Sequence, residues 1–133
     1  MAAGKYNFNI EQGTTVDFEI AYTDSGSNPI DLTDYTARMQ IRPLIGSSTV
    51  YITLSSSLSD CGTGLNMSGS NGVTPPTSGT IGVYISAASS SLFNFNNAYY
   101  DLEIVSGSGN CAYVTRILEG KIKLSKEITK GSY

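Results

Sequence analysis

The sequence predicts an all-β protein, a single antiparallel β-sandwich of seven to eight strands across its 133 residues. Three observations carry this prediction. Apolar and polar residues alternate with period two along most of the chain, as in strands that bury one face, and helical periodicity is nearly absent. Gly, Asn, Ser and Pro clusters break the alternation about every 8–12 residues, the spacing of sandwich turns. The length suits one domain, since domains usually run about 100–150 residues. The expected core covers about residues 6–129, with short arms at both ends and one long loop over 55–78.

The clearest strand is Val16-Asp17-Phe18-Glu19-Ile20-Ala21-Tyr22. Val16, Phe18, Ile20 and Tyr22 face a core, and Asp17 and Glu19 face water, because successive strand side chains point to opposite sides. Asp24-Ser25-Gly26-Ser27-Asn28-Pro29 follows as a turn. Tyr35 to Arg42 is the next strand, with Ala37, Met39 and Ile41 inward and Arg38, Gln40 and Arg42 outward. Pro43 stops it, having no amide hydrogen for a ladder. Thr49 to Leu54 is rich in β-branched residues and reads as a strand, and Leu65 and Met67 mark a short one. Gly79 to Ser86 carries Ile81, Val83 and Ile85 on one face. One helical turn fits between Ala87 and Phe95. Tyr99 to Val105 points Tyr100, Leu102 and Ile104 inward, Ser106 to Asn110 forms a hairpin loop, and Tyr113 to Leu124 is the last strand. Gly120 within it predicts a bulge or a close neighbour.

Composition excludes several functions. The net charge is −3, the pI is near 4.7 and only 14% of residues are charged. A phosphate-tracking nucleic-acid binder needs clustered cations, so none is expected here. With no His there is no Ser-His-Asp triad, no imidazole ligand and no imidazole base. No run of about 18 apolar residues appears, so no membrane-spanning helix is expected. Met1-Ala2-Ala3-Gly4-Lys5 runs straight into alternating Tyr6, Phe8 and Ile10, without the apolar core of a secretory signal, and synthesis in a host cytoplasm is expected. The 19 Ser, 13 Thr, 14 Gly and 9 Tyr imply a polar, weakly charged surface.

Few residues invite chemistry. Asp17/Glu19 and Asp101/Glu103 are same-face carboxylate pairs, about 7 Å apart by the strand rise. That lies within the range used by glycosidases, but there is no Trp to build a sugar cleft, and solvation of outer strand faces explains both pairs. Asp24, Asn28 and Asp31 miss the spacing of a calcium loop and read as turn residues. Cys61 and Cys111 cannot build a four-ligand zinc site without His. They are either free thiols, as cytosolic synthesis favours, or a disulfide if their loops meet. Arg38, Arg42 and Arg116 read as partners in cross-strand ion pairs or in contacts between subunits. Tyr84, Tyr99 and Tyr113 fall on outward positions and suit a protein interface, with a sugar platform as the alternative.

The run Asn28-Pro29-Ile30-Asp31-Leu32-Thr33-Asp34-Tyr35-Thr36-Ala37-Arg38-Met39-Gln40-Ile41-Arg42 resembles a pattern in small structural proteins of tailed bacteriophages. So do Tyr100-Asp101-Leu102-Glu103-Ile104, Val114-Thr115-Arg116-Ile117-Leu118-Glu119-Gly120 and Leu124-Ser125-Lys126-Glu127-Ile128-Thr129. Together they are similar to the immunoglobulin-like N-terminal domain of upper baseplate proteins and to its free-standing form in cyanophage virions. The resemblance runs from about Tyr6 to Thr129 and implies an immunoglobulin-like sandwich and a structural role in a virion, without catalytic residue, metal or cofactor. Leu32 would plug one end of the sandwich and Tyr35 close it.

The sequence departs from the pattern at Ser55–Ser78 and at Phe93–Asn97. Loop insertions are where a shared fold acquires its own partner. Partner contacts are therefore expected at Val73, Thr74, Pro75, Pro76, Leu92, Phe93 and Phe95, beside Tyr84, Tyr99 and Tyr113. Tyr6–Ile10 and the tail from Lys126 are expected to serve as arms. The expected partners are other virion proteins in multiple copies, in the tail or baseplate. Capsid decoration and adsorption to a host glycan are the alternatives.

Overall fold

The structure, a computed structural model, describes residues 4–44, 46–107 and 109–128, apart from the Asp60 side chain. Among these residues the strands are β1 (Gly4–Lys5), β2 (Phe8–Glu11), β3 (Val16–Ala21), β4 (Tyr35–Arg42), β5 (Ile52–Ser55), β6 (Gly64–Asn66), β7 (Thr80–Ile85), β8 (Asn97–Ser106) and β9 (Tyr113–Ser125). The only α-helical turn among them is α1 (Ala87–Ser90). The larger sheet has the order β1-β9-β8-β4-β5, with β2 also on β9, and the smaller sheet has the order β3-β7-β6. This is an immunoglobulin-like sandwich: β3, β7 and β6 stand where strands B, E and D do, and β9, β8 and β4 where G, F and C do.

The alternation of the sequence becomes two inner faces. Met39, Ile41, Leu54, Leu102 and Ile122 from the larger sheet meet Leu65, Ile81, Val83 and Ile85 from the smaller, all at 2% exposure or less. Each such side chain contributes about 1.5–3 kcal/mol by leaving water. Leu32 is buried at one end, as expected of a plug.

Four local departures matter. First, β1 and β2 pair with β9 in parallel, while the other named strand pairs are antiparallel. Tyr6–Ile10 is therefore part of the larger sheet and not a free arm. The edge breaks at Tyr6-Asn7, where the Tyr6 amide donates to the Glu119 carbonyl at 3.0 Å and the Lys121 amide donates to Asn7 Oδ1 at 2.8 Å. This one interrupted edge brings the strand count to nine.

Second, the irregularity in β9 and the close approach at Gly120 are separate features. Register slips between Leu102 and Glu103, leaving Ile117 as the extra residue on β9. Gly120 lies under the Tyr6 carbonyl, and a Cβ there would overlap it. Third, the segment 55–78 is not one loop. It contains β6 and two short 3₁₀ turns. Fourth, the strand expected from Thr49 starts at Ile52, and Tyr51 instead stacks on Phe95 at 4.7 Å. The tail is tied down where it is described: Lys126 Nζ donates to Asn94 Oδ1 and the Glu127 amide to Gln12 Oε1. Ile128 is fully exposed, and the rest of the expected C-terminal arm, from 129 on, lies outside the described residues.

Candidate functional site

The outer face of the larger sheet is an open groove of about 840 Å³. Its floor follows from register. Arg116, Glu103 and Arg38 form one row across β9, β8 and β4, and Glu119, Asp101 and Gln40 form the next, with Lys5 of β1 beside Glu119. Lys121, Tyr99 and Arg42 complete a third row. The rows read as cross-strand pairs. Arg38 Nε meets Glu103 at 2.8 Å, Arg116 Nε meets Asp101 at 3.2 Å, and Lys5 Nζ meets Glu119 at 3.4 Å. These exposed pairs are each worth roughly 0.2–1 kcal/mol.

Arg42 departs from the expected pattern. It forms no ion pair among the described residues, and its guanidinium donates instead to Gln40 Oε1 and the Ser47 carbonyl. Lys121 sits 5.7 Å over the Tyr99 ring. Burial raises the Asp101 carboxyl above the usual Asp range, reinforced by Glu103 and Glu119 and opposed by Arg116 and Arg42. Burial thus outweighs the ion pair that Asp101 makes.

The smaller sheet is partly roofed. Gly82 on β7 lies directly beneath Gly69 and Ser70, where any Cβ would collide with their backbone. Glu19 Oε2 accepts from the Ser70 amide at 2.7 Å. Asn71 Oδ1 accepts from the Val73 and Thr74 amides and from Thr74 Oγ1, which fixes the loop and leaves Val73 80% exposed. Pro75 is exposed, and Thr74 and Pro76 are half-buried. Period-two reading cannot register a loop folded onto a sheet. The signal was Gly82 itself, a glycine inside a strand.

The other candidates separate. Leu92 is 83% exposed just after α1. Phe93 and Phe95 are not contact residues: they are buried and pack together at 5.4 Å, filling the end of the core below α1. Tyr84 is half-buried on the smaller sheet, in register with Asp17, and Tyr99 is half-buried on the larger sheet. Tyr113 is exposed at the β8–β9 hairpin. The three tyrosines therefore occupy different surfaces and do not build one platform. Cys61 and Cys111 are free and exposed. No His/Cys/Asp/Glu group suited to a metal occurs among the described residues.

A further feature is the edge of β3. It pairs with β7 on one side and has no strand on the other among the described residues. In constant-type immunoglobulin domains the first strand lies there, whereas here the N-terminal strands have joined β9. The gap between β2 and β3 holds a slot of about 360 Å³ lined by Tyr6, Phe8, Val16 and Phe18. Aromatic contacts of 5.1–5.9 Å link Tyr6, Phe8 and Phe18 along it, and Phe8 also meets the buried Tyr100 ring at 5.2 Å.

Fold and surface together define an immunoglobulin-like sandwich with a charged groove on one sheet and an unpaired edge on the other. Compared with known proteins, the chain matches no family model and no curated sequence.

Proposed function

We propose that this chain is a non-enzymatic structural component of a tailed-phage virion, an adaptor of the tail, baseplate or fibre-attachment region. It docks other virion proteins through its edge strands and loops. The observation that carries the docking mode is the unpaired edge of β3, six residues of regular strand beside an aromatic-lined slot. Such an edge presents free amides and carbonyls to a donated strand. The exposed Asp17 and Glu19 discourage indiscriminate pairing, as edge charges do. Val73 and Leu92 add apolar anchors near fixed backbone. The assignment to a virion rests on the sequence resemblance.

Mass spectrometry of purified particles tests the reading, with cross-linking to find a neighbour beside β3. The chain is expected in the tail fraction at a few to a few dozen copies. Hundreds of copies would indicate capsid decoration instead, and absence from every fraction would end the proposal. The groove, with Tyr99 in its third row, favours one second reading, a carbohydrate-binding adsorption module. A glycan array without signal removes it.

A further inference from the structure

Among the described residues, the charges at the two ends of the sandwich differ in sign. The loops after β3, β6 and β8 gather at one end, where the Leu32 amide donates to the Pro76 carbonyl, the Tyr22 amide to the Gly79 carbonyl, and Tyr35 pairs with Ser106. These loops contain Asp24, Asp31 and Asp34 and neither Lys nor Arg. At the other end, where β4, β2 and β9 finish and β3 begins, stand Arg42, Lys121, Lys123 and Lys126, with Glu11, Asp17 and Glu127 as the nearby acids among the described side chains. The ion pairs follow the same division. Lys5, Arg38 and Arg116, in the middle of the face, are paired, whereas none of the four cations at the end forms an ion pair among the described residues.

The acidic turns are also braced by hydrogen bonds to their own carboxylates. Asp24 Oδ1 accepts from the Gly26 and Asn28 amides at 2.9 and 3.0 Å, and Asp31 Oδ1 accepts from the Thr33 amide at 2.9 Å. The side chain and amide of Thr33 hold the Asp31 carboxyl below the usual Asp range, so it stays ionised. Each end also exposes apolar side chains, Tyr113 at the acidic end and Leu44 and Leu92 at the basic end.

We infer that copies of this chain associate end to end, with the Asp24/Asp31/Asp34 end of one against the Arg42/Lys121/Lys123/Lys126 end of the next. The occupant is a second copy because the two ends of this one molecule are complementary in charge and each carries apolar anchors. The contact is heterologous, so it closes into a ring or extends as a stack. It is distinct from the β3 edge and goes beyond the docking of other virion proteins.

Sedimentation of the full chain tests it. Mass should rise with protein concentration at about 0.02 M salt, and the association constant should fall at least about tenfold by about 0.5 M. Two variants divide the interface. Asp24→Asn/Asp31→Asn/Asp34→Asn neutralises the acidic end while keeping the carbonyl acceptors of its turns. Lys121→Glu/Lys123→Glu/Lys126→Glu reverses the basic end at exposed positions. Each alone should weaken association at least about tenfold with an unchanged circular dichroism spectrum. Mixed, they should form a one-to-one dimer that grows no further, since one keeps a good basic end and the other a good acidic end. Lys5→Ala, in the middle of the groove, should leave association unchanged. A wild-type protein that stays monomeric at low salt overturns the inference. So does association indifferent to both variants, or a mixture that remains monomeric.

Discussion

Gly120→Ala is expected to be among the costliest single-methyl additions to this protein. The new Cβ would overlap the Tyr6 carbonyl, a backbone atom that cannot swing aside as a side-chain tip would. The N-terminal edge must therefore lift from β9. Lifting breaks the Tyr6 amide bond to the Glu119 carbonyl, the Lys121 amide bond to Asn7 Oδ1, and the bond from the Tyr100 hydroxyl to the Tyr6 carbonyl. At roughly 1 kcal/mol each, the loss is about 3 kcal/mol, with some aromatic burial besides. For a domain of this size that lowers Tm by about 10 °C. Urea denaturation of the wild type, Gly120→Ala, Tyr100→Phe and the double variant measures it. Tyr100→Phe removes one of the same bonds, so the two costs should fall short of additivity by about 1 kcal/mol. A Gly120→Ala cost under about 0.5 kcal/mol, or strictly additive costs, would refute the reasoning.

Phe95→Ala should destabilise the fold by about 3–5 kcal/mol, because it opens a cavity beside Phe93 and Tyr51. Leu92→Ala should change it by less than about 0.5 kcal/mol, and thermal melts of both check this. Burial, reinforced by Tyr6, raises the Tyr100 phenol above its ordinary value. The folded state therefore favours the neutral phenol, and stability should fall as pH rises past about 10, where the unfolded phenol ionises. Tyr100→Phe should flatten that alkaline slope, and an unchanged slope in denaturation curves would count against the burial argument. The raised Asp101 carboxyl means that its charged form costs stability when folded. Relative to the wild type, Asp101→Asn should be more favourable at pH 7 than near pH 3, where the unfolded carboxyl, with its ordinary pKa of about 3.9, is also mostly protonated. The opposite order in paired melts would show that the Arg116 pair outweighs burial.

Period-two alternation made the faces of β3, β4, β7 and β8 legible from the residues alone. Whether a strand side chain points in or out is decided by its own position in a short segment. Asp31 in its turn, Leu32 as a plug and the single helical turn after β7 were legible for the same reason, since each depends on neighbours a few residues away. Gly120 announced a constraint without naming its kind.

Pairing across the fold was not legible. Nothing local tells β1 and β2 to lie parallel to β9 and leave the edge of β3 bare, because that choice compares contacts more than a hundred residues apart. Phe93 and Phe95 looked like loop residues because they lie outside any strand, and they are buried because Tyr51 and the end of the core come to them. The separation of acidic and basic ends is likewise a property of topology. Asp24 and Asp34 lie close in sequence to Arg38 and Arg42, but an eight-residue strand carries Arg42 to the far end of the molecule. The residues determined which side chains seek water. Only the assembled sheets decided which of them share a surface, because that surface is built from segments the chain itself keeps far apart.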